Sequence, residues 1–343
     1  RLDGGAGSDT ASYADATSGV HVDLLSGRGA LAEAEGDTLT GIENLDGSAF
    51  DDLLEGDTGV NQLRGGVGDD VLRGRGGADR LDGGAGSDTA SYADATSGVH
   101  VDLLSGRGAL AEAEGDTLTG IENLNGSAFD DLLEGDTGVN QLRGGVGDDV
   151  LRGRGGADRL DGGAGSDTVS YTDAAVAIRV DLAAGTGTLG DAAGDVLISI
   201  ENVNGSASGD TIEGNAGANR LQGFNGDDVL RGRGGADRLD GGAGADVFVF
   251  DAVTDSRLGA SDQISDFNRA QGDRIDLSAI DVAGDRGFTF IGDGTYSGVA
   301  GELRVAADSG ALIVYADVDG DRRSDMSILV YGVTSLTSAD FIL

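Results

Sequence analysis

Apolar positions along this chain are sparse and evenly spaced. From Gly47 to Ser91 one inward-type residue recurs every ninth position: Leu54, Leu63, Leu72, Leu81 and Ala90. Glycines gather at positions 1, 2 and 4 of each nine, and an acidic or amide residue stands at position 6, as in Gly65-Gly-Val-Gly-Asp-Asp70-Val-Leu72-Arg. Glycines there let the backbone turn through positive φ at low steric cost. The last three residues of each unit then form a very short strand with its position-8 side chain turned inward. Two units make a coil of 18 residues, and coils stack with parallel strands about 4.8 Å apart. The pattern predicts an all-β solenoid, a parallel β-roll with a thin aliphatic core and turns along both edges.

A longer period of 79 residues overlies the short one. Arg1, Arg80, Arg159 and Arg238 are equivalent, and the first two copies differ only at Asp46 against Asn125. Each copy combines five nonapeptides, starting at Gly47, Gly126 or Gly205, with a 34-residue spacer such as Tyr92 to Asn125. A single unit at Gly4 precedes the first spacer, so the chain opens inside a repeat. Spacers carry short β-type runs, Val20–Leu24 and Thr38–Leu45, and read as less regular coils. The expected divisions are 1–91, 92–170 and 171–249 for the repeats and 250–343 for a separate C-terminal β domain. In that last segment 288–291, 311–315 and 327–331 look like strands.

Composition changes the picture. Acidic residues number 61 against 23 basic, a net charge of −38, and cysteine and proline are absent. Such a charge argues against nucleic acid as a partner, and no apolar run approaches the roughly 20 residues of a membrane span. High charge with few aromatics would ordinarily mean disorder, unless cations complete the fold. Stacking brings position-6 residues 18 apart onto one edge: Asp52 with Asp70, Asp70 with Asp88, Asn61 with Asp79. Copies follow at Asp131, Asn140, Asp149, Asp158 and Asp167, then Asp210, Asn219, Asp228, Asp237 and Asp246, with Asp9 in the lone first unit. Facing carboxylates repel unless a hard divalent cation joins them. Ca²⁺, which takes 6–8 oxygen ligands, suits such turns better than Mg²⁺, which demands strict octahedral geometry.

These units resemble the RTX, or hemolysin-type, calcium-binding nonapeptide, and the resemblance covers residues 1–249. It implies a parallel β-roll in which Gly66, Gly68 and Asp70 share an ion with carbonyls of Gly83, Ala85 and Ser87. Phe50, Phe129, Ser208 and Arg75 depart from the glycine pattern and Asn61, Asn140 and Asn219 from the aspartate, marking turns expected to be weak or empty. Residues 247–343 resemble the C-terminal domain of serralysin-type secreted metalloproteases in 262–281, 288–304 and 317–325, and in the ending Asp340-Phe-Ile-Leu343. That resemblance implies export by the type I secretion machinery of a Gram-negative bacterium.

Other chemistry is thin. Asp317, Asp319, Asp321 and Asp325 follow the first part of an EF-hand-like loop, but Ile328 stands where its last acidic ligand belongs. Asp262 and Asp266 are candidates for an ion at the roll's end. The zinc motif H-E-x-x-H is absent, and His21 and His100 are copies of one position that is Arg179 in the third repeat. No catalytic constellation appears. The sequence therefore reads as a secreted, calcium-binding roll with no activity of its own, holding roughly nine or more Ca²⁺. Nine such ions would bring −38 to about −20. Two roles stay open: a structural, filament, surface-layer or adhesin segment that self-associates or attaches to cells, or the export module of a larger enzyme or toxin.

Overall fold

The computed structural model describes all residues except 284–286. The chain divides into two compact units, Arg1–Val169 with Asp195–Ile200, and Ser170–Gly194 with Glu201–Leu343.

In the first unit, very short strands stack in parallel with an 18-residue register. Leu45 pairs with Leu63 and Leu63 with Leu81 on one sheet. Leu54 pairs with Leu72 and Leu72 with Ala90 on the other. All six of these side chains are buried, so each coil adds two inward residues to a thin core. The spacer does not interrupt the stack. Leu81 pairs onward with Leu118, and Ala90 with Leu124, and both partners come from the spacer. Leu124 then leads through Leu142 and Leu160 to Leu197. The spacer's second half thus forms coils of the roll. Its first half is a hairpin, His100–Asp102 against Arg107–Ala109, which runs antiparallel and joins the stack through Leu132–Glu134. No 18-residue period announces that hairpin.

Backbone closeness explains the glycines. Gly84 lies opposite Gly66 in the ladder with φ 106°, and a Cβ there would run into the Gly66 carbonyl oxygen. Arg75 and its copies Arg154 and Arg233 are exceptions, side chains carried at φ 64°, 62° and 65°.

The second unit repeats the stack and extends it. Val203, Leu221, Leu239 and Ile264 pair in succession on one sheet. Val180, Ile212, Leu230, Phe248, Ile275 and Phe341 do so on the other. Parallel pairing therefore does not stop near residue 249, where the nonapeptides end. The strands Asp262–Ile264, Arg274–Asp276 and Phe341–Ile342 continue it without any glycine signature. An antiparallel meander of Glu302–Asp308, Ala311–Asp317 and Met326–Val330 then attaches to the stack, Ile264 pairing with Val330.

Because the core is one residue deep, each inward leucine is irreplaceable by its neighbours. Leu72→Ala is expected to lower the unfolding free energy in saturating calcium by about 2–5 kcal/mol. Val67→Ala, at an exposed position of the same nonapeptide, is expected to change it by less than about 0.5 kcal/mol. Denaturant titration of both variants checks the contrast.

Candidate calcium-binding turns

Stacking sets each position-6 carboxylate against the backbone of the coil below. The Asp52 amide donates to Asp70 Oδ1 (2.8 Å) and the Asp70 amide to Asp88 Oδ1 (2.8 Å). On the opposite edge the Asn61 amide donates to Asp79 Oδ1 (2.8 Å). The bond recurs from Asp131 to Asp149, Asp149 to Asp167 and Asn140 to Asp158. In the second unit it joins Asp210 to Asp228, Asp228 to Asp246 and Asn219 to Asp237. All same-edge pairs read from the sequence are thus brought together.

The second carboxylate oxygen separates the turns into two kinds. In Asp70, Asp79, Asp88, Asp149, Asp158, Asp228, Asp237 and Asp246, Oδ2 is buried and has no hydrogen-bond partner among the described residues. The same holds for Asp9 in the first unit of the chain. An ionised oxygen in that state is costly. Burial accordingly pushes Asp70, Asp79, Asp149, Asp158 and Asp237 up to about 7 and Asp228 up to about 8, with neighbouring carboxylates adding to the shift. Hard, anionic oxygens that lack a donor, arrayed along glycine turns, fit Ca²⁺.

The other kind is satisfied by the protein. Asp52 Oδ1 accepts from the Val20 amide (2.7 Å) and the Ser48 hydroxyl (2.9 Å), and its Oδ2 from the Ser48 amide (2.5 Å). Ser127 and Ser206 do the same for Asp131 and Asp210. Asn61 accepts from the Asp57 amide (2.8 Å) and donates to the Glu43 carbonyl (2.9 Å), and Asn140 and Asn219 are bonded alike. These are the units carrying Phe50, Phe129, Ser208 or an asparagine.

The turn glycines lie as the pattern requires. Gly66 and Gly68 have φ 116° and 131°, and the Gly68 amide donates to the Ala85 carbonyl (3.0 Å). The Ser87 amide donates to Asp69 Oδ1 (2.9 Å), and the Gly83 carbonyl stands over Gly65.

Arg75 does more than replace a glycine. Its guanidinium reaches Asp23 (2.7 Å), Glu55 (2.9 Å) and the Gly56 carbonyl (2.7 Å), tying the spacer hairpin to the roll. Arg233 binds Asp181 and Glu213 in the same way. Arg64, Arg73 and Arg80 pair with Asp46, Glu55 and Asp82. His100 meets Glu134 (3.1 Å), and Arg179 meets Glu213 (3.0 Å) at the equivalent place.

Several ladder residues lie outside the nonapeptides. Glu122 Oε2 accepts the Asp88 amide (2.9 Å), and Glu43 does so for Asp9. Asp116 takes the Asp79 amide (2.8 Å), and Asp262 and Asp273 those of Asp237 and Asp246. The recurring triplet Ile-Glu-Asn at 42–44, 121–123 and 200–202 is the signal that could have found the glutamates. Asp262 is fully buried with Oδ2 lacking a partner among the described residues, whereas Asp266 accepts the Gly241 and Gly242 amides. In the C-terminal loop Asp317, Asp319 and Asp325 converge, while Asp321 accepts the Arg323 amide instead. Loop amides already fill Asp317, which bonds Gly320 and Arg322, and Asp325, which bonds Val318.

Fold and turns together define a calcium-binding RTX β-roll. The RTX calcium-binding nonapeptide repeat (4 copies) matches residues 37–72 and 55–90. The family described as Peptidase M10 serralysin C terminal matches residues 120–343. The chain belongs to that family, whose RTX members are secreted, calcium-binding and exported by type I secretion. Serralysin A of Dickeya chrysanthemi is 36% identical over 98 residues, which make up 28% of this chain and 20% of that protein. The match thus spans about a fifth of the relative's length. Among solved structures, the AlgE6R3 subunit of the Azotobacter vinelandii mannuronan C5-epimerase is 24% identical (TM-score 0.21), covering 62% of this chain and 78% of that one. The extracellular lipase LipA of Serratia marcescens is 18% identical (TM-score 0.21), covering 90% and 41%. No helix among the described residues is long and apolar enough to cross a membrane.

Two outcomes follow from the turns. Asp70→Asn is expected to raise the calcium concentration at the folding midpoint beyond the roughly 10–100-fold cost of losing an outer-shell partner. Asp52→Asn, at a protein-satisfied turn, is expected to shift it far less. Calcium titrations followed by circular dichroism compare the two. In chelator, the raised carboxyls bind more protons folded than unfolded between their unfolded value near ~4 and about 7–8. Stability of the metal-free chain therefore falls as pH rises through that window, and β content in EDTA is expected to be higher at about pH 5 than at about pH 8. With calcium present the dependence reverses, because protons compete for the same oxygens.

Proposed function

We propose that this chain is an extracellular structural segment, a stalk, filament, surface-layer or adhesin element, that folds on reaching environmental calcium. The observation that carries the proposal is the row of buried carboxylate oxygens with no donor from the protein. Asp70, Asp79, Asp88 and their copies would hold the ions, with glycine-turn carbonyls completing each shell. Calcium there supplies the positive charge that lets the acidic coils close. At low calcium the same oxygens repel, which keeps the chain extended enough to thread an export channel. The near-identity of residues 1–79 and 80–158 supports a role in which copy number sets the extent of the array. Affinities in the range of about 10⁻⁴–10⁻³ M suit an extracellular module, and nine or more ions match the number of same-edge pairs.

A second reading is favoured by one specific observation: the family match spans the whole C-terminal part of the chain, 120–343. On that reading the chain is the export and folding module of a larger secreted enzyme or toxin. The gene sequence upstream of Arg1 separates the two, since a protease or epimerase domain there supports the module and further 79-residue copies support the stalk.

Calcium dependence is tested directly by circular dichroism. The chain in EDTA near neutral pH is expected to be largely unfolded and to gain its β signal cooperatively on titration. Full β structure in EDTA would overturn the proposal.

A further inference from the structure

We propose that the phenol of Tyr92 ends the series of calcium sites on its edge of the roll, giving Asp116 the donor that Asp79 and Asp88 lack among the described residues. The inference rests on the calcium reading above and extends it to the spacer.

Asp116 lies outside any nonapeptide, yet it continues the edge that runs through Asn61 and Asp79. The Asp79 amide donates to Asp116 Oδ1 at 2.8 Å, the same bond that the Asp70 amide makes to Asp88. The difference is the second oxygen. Asp79 and Asp88 have a buried Oδ2 with no partner among the described residues. Asp116 Oδ2 instead accepts the Tyr92 hydroxyl at 3.0 Å. Both residues are almost fully buried, Asp116 at 1% and Tyr92 at 2% exposure, so water does not substitute for the phenol. The ring is held in place by the backbone, the Tyr92 amide donating to the Asn125 carbonyl at 2.8 Å. In the first copy the Tyr13 hydroxyl meets Asp37 Oδ2 at 3.2 Å. Tyr171 and Asp195 hold the equivalent sequence positions in the third.

A neutral hydroxyl satisfies one carboxylate oxygen and stops there. It adds no charge and bridges to no further carbonyl, whereas an ion in the block links two turns through several oxygens. The spacer turn at Asp116 therefore closes without metal. Each 79-residue repeat thus contains block turns that need calcium and a spacer turn that, like the Asp52 and Asn61 turns at the head of the block, is satisfied by the protein itself. Ion number per repeat is then set by the block alone, and the spacer offers a folded step on which the calcium-dependent coils can build.

The test uses the full chain with Tyr92→Phe and, separately, Asp116→Asn. Calcium stoichiometry is read by isothermal titration calorimetry and the folding midpoint by circular dichroism. Tyr92→Phe, which strips the donor from Asp116 Oδ2 with little change of volume, is expected to add one bound ion. It is also expected to raise the calcium midpoint roughly 2- to 5-fold, through loss of a hydrogen bond to a buried charge. Asp116→Asn is expected to leave the stoichiometry unchanged. An unchanged stoichiometry and midpoint in Tyr92→Phe overturns the inference, as does loss of an ion in Asp116→Asn. If Tyr92→Phe fails to fold even in saturating calcium, Asp116→Asn alone decides. A wild-type chain that binds no calcium sinks the parent reading instead, a result distinct from either variant outcome.

Discussion

A buried aspartate with one oxygen tied to an amide and the other without a donor is the constraint on which this fold depends. The tied oxygen fixes the register within each block, because there it links residues 18 apart. The untied oxygen makes the register expensive unless a cation is present. Every other feature is arranged around that conflict. Strands of three residues return the chain to the edge quickly. Glycines let successive turns approach until a Cβ would collide with the carbonyl of the neighbouring coil. Leucines fill a core too thin to hold the fold alone against so many like charges.

The protein answers the conflict in more than one way within a single block. Serine hydroxyls and amides satisfy Asp52, Asp131 and Asp210, the first aspartates of their blocks. Asparagine at 61, 140 and 219 removes the charge and uses its amide to bond a carbonyl of the adjoining coil. Arg75 brings a guanidinium to three carboxylates that flank the spacer hairpin, Asp23, Glu55 and Asp94. What remains without any such answer among the described residues is Asp70, Asp79 and Asp88 in the first block, Asp149 and Asp158 in the second, and Asp228, Asp237 and Asp246 in the third. Calcium demand is thus concentrated in the middle and end of a block, and its first two turns, next to the preceding spacer, are held by the protein's own groups.

Much of this was legible in the residues, and the exceptions have physical reasons. Nine-residue spacing of Leu54, Leu63, Leu72 and Leu81 translates directly into an 18-residue parallel register, since periodicity is all that such a stack requires. Glu122 is harder to see, because it lies 34 residues from Asp88, outside the 18-residue interval, and reaches the ladder with a longer side chain; only the recurring Ile-Glu-Asn triplet marks it. Arg75 reads as a lost glycine in a linear pattern, and its partners at Asp23 and Glu55 emerge only when two coils are stacked. The pairing of Asp262–Ile264 and Arg274–Asp276 onto the stack was hidden for a related reason. Once turns no longer approach closely, glycine is not needed, and the strand continues without the signature that announced its predecessors.

Residues 340–342 bear on how the proposed folding and export would be joined. Phe341 is buried and pairs with Ile275 at the last position of a sheet. Asp340 is buried beside it, bonded by the Arg269 guanidinium (2.6 Å) and by the Thr337 hydroxyl (3.0 Å). The acidic-plus-hydrophobic ending that resembles a type I secretion signal is therefore built into the folded structure. An export machine that reads this ending must meet it before the strand pairs. The carboxylates proposed to hold calcium sit in the same stack, with the Asp246 amide bonded to Asp273 one residue before the strand that Phe341 joins. On the proposed function, low calcium would serve two ends through one set of oxygens: keeping the chain narrow enough to pass, and keeping Phe341 out of the sheet.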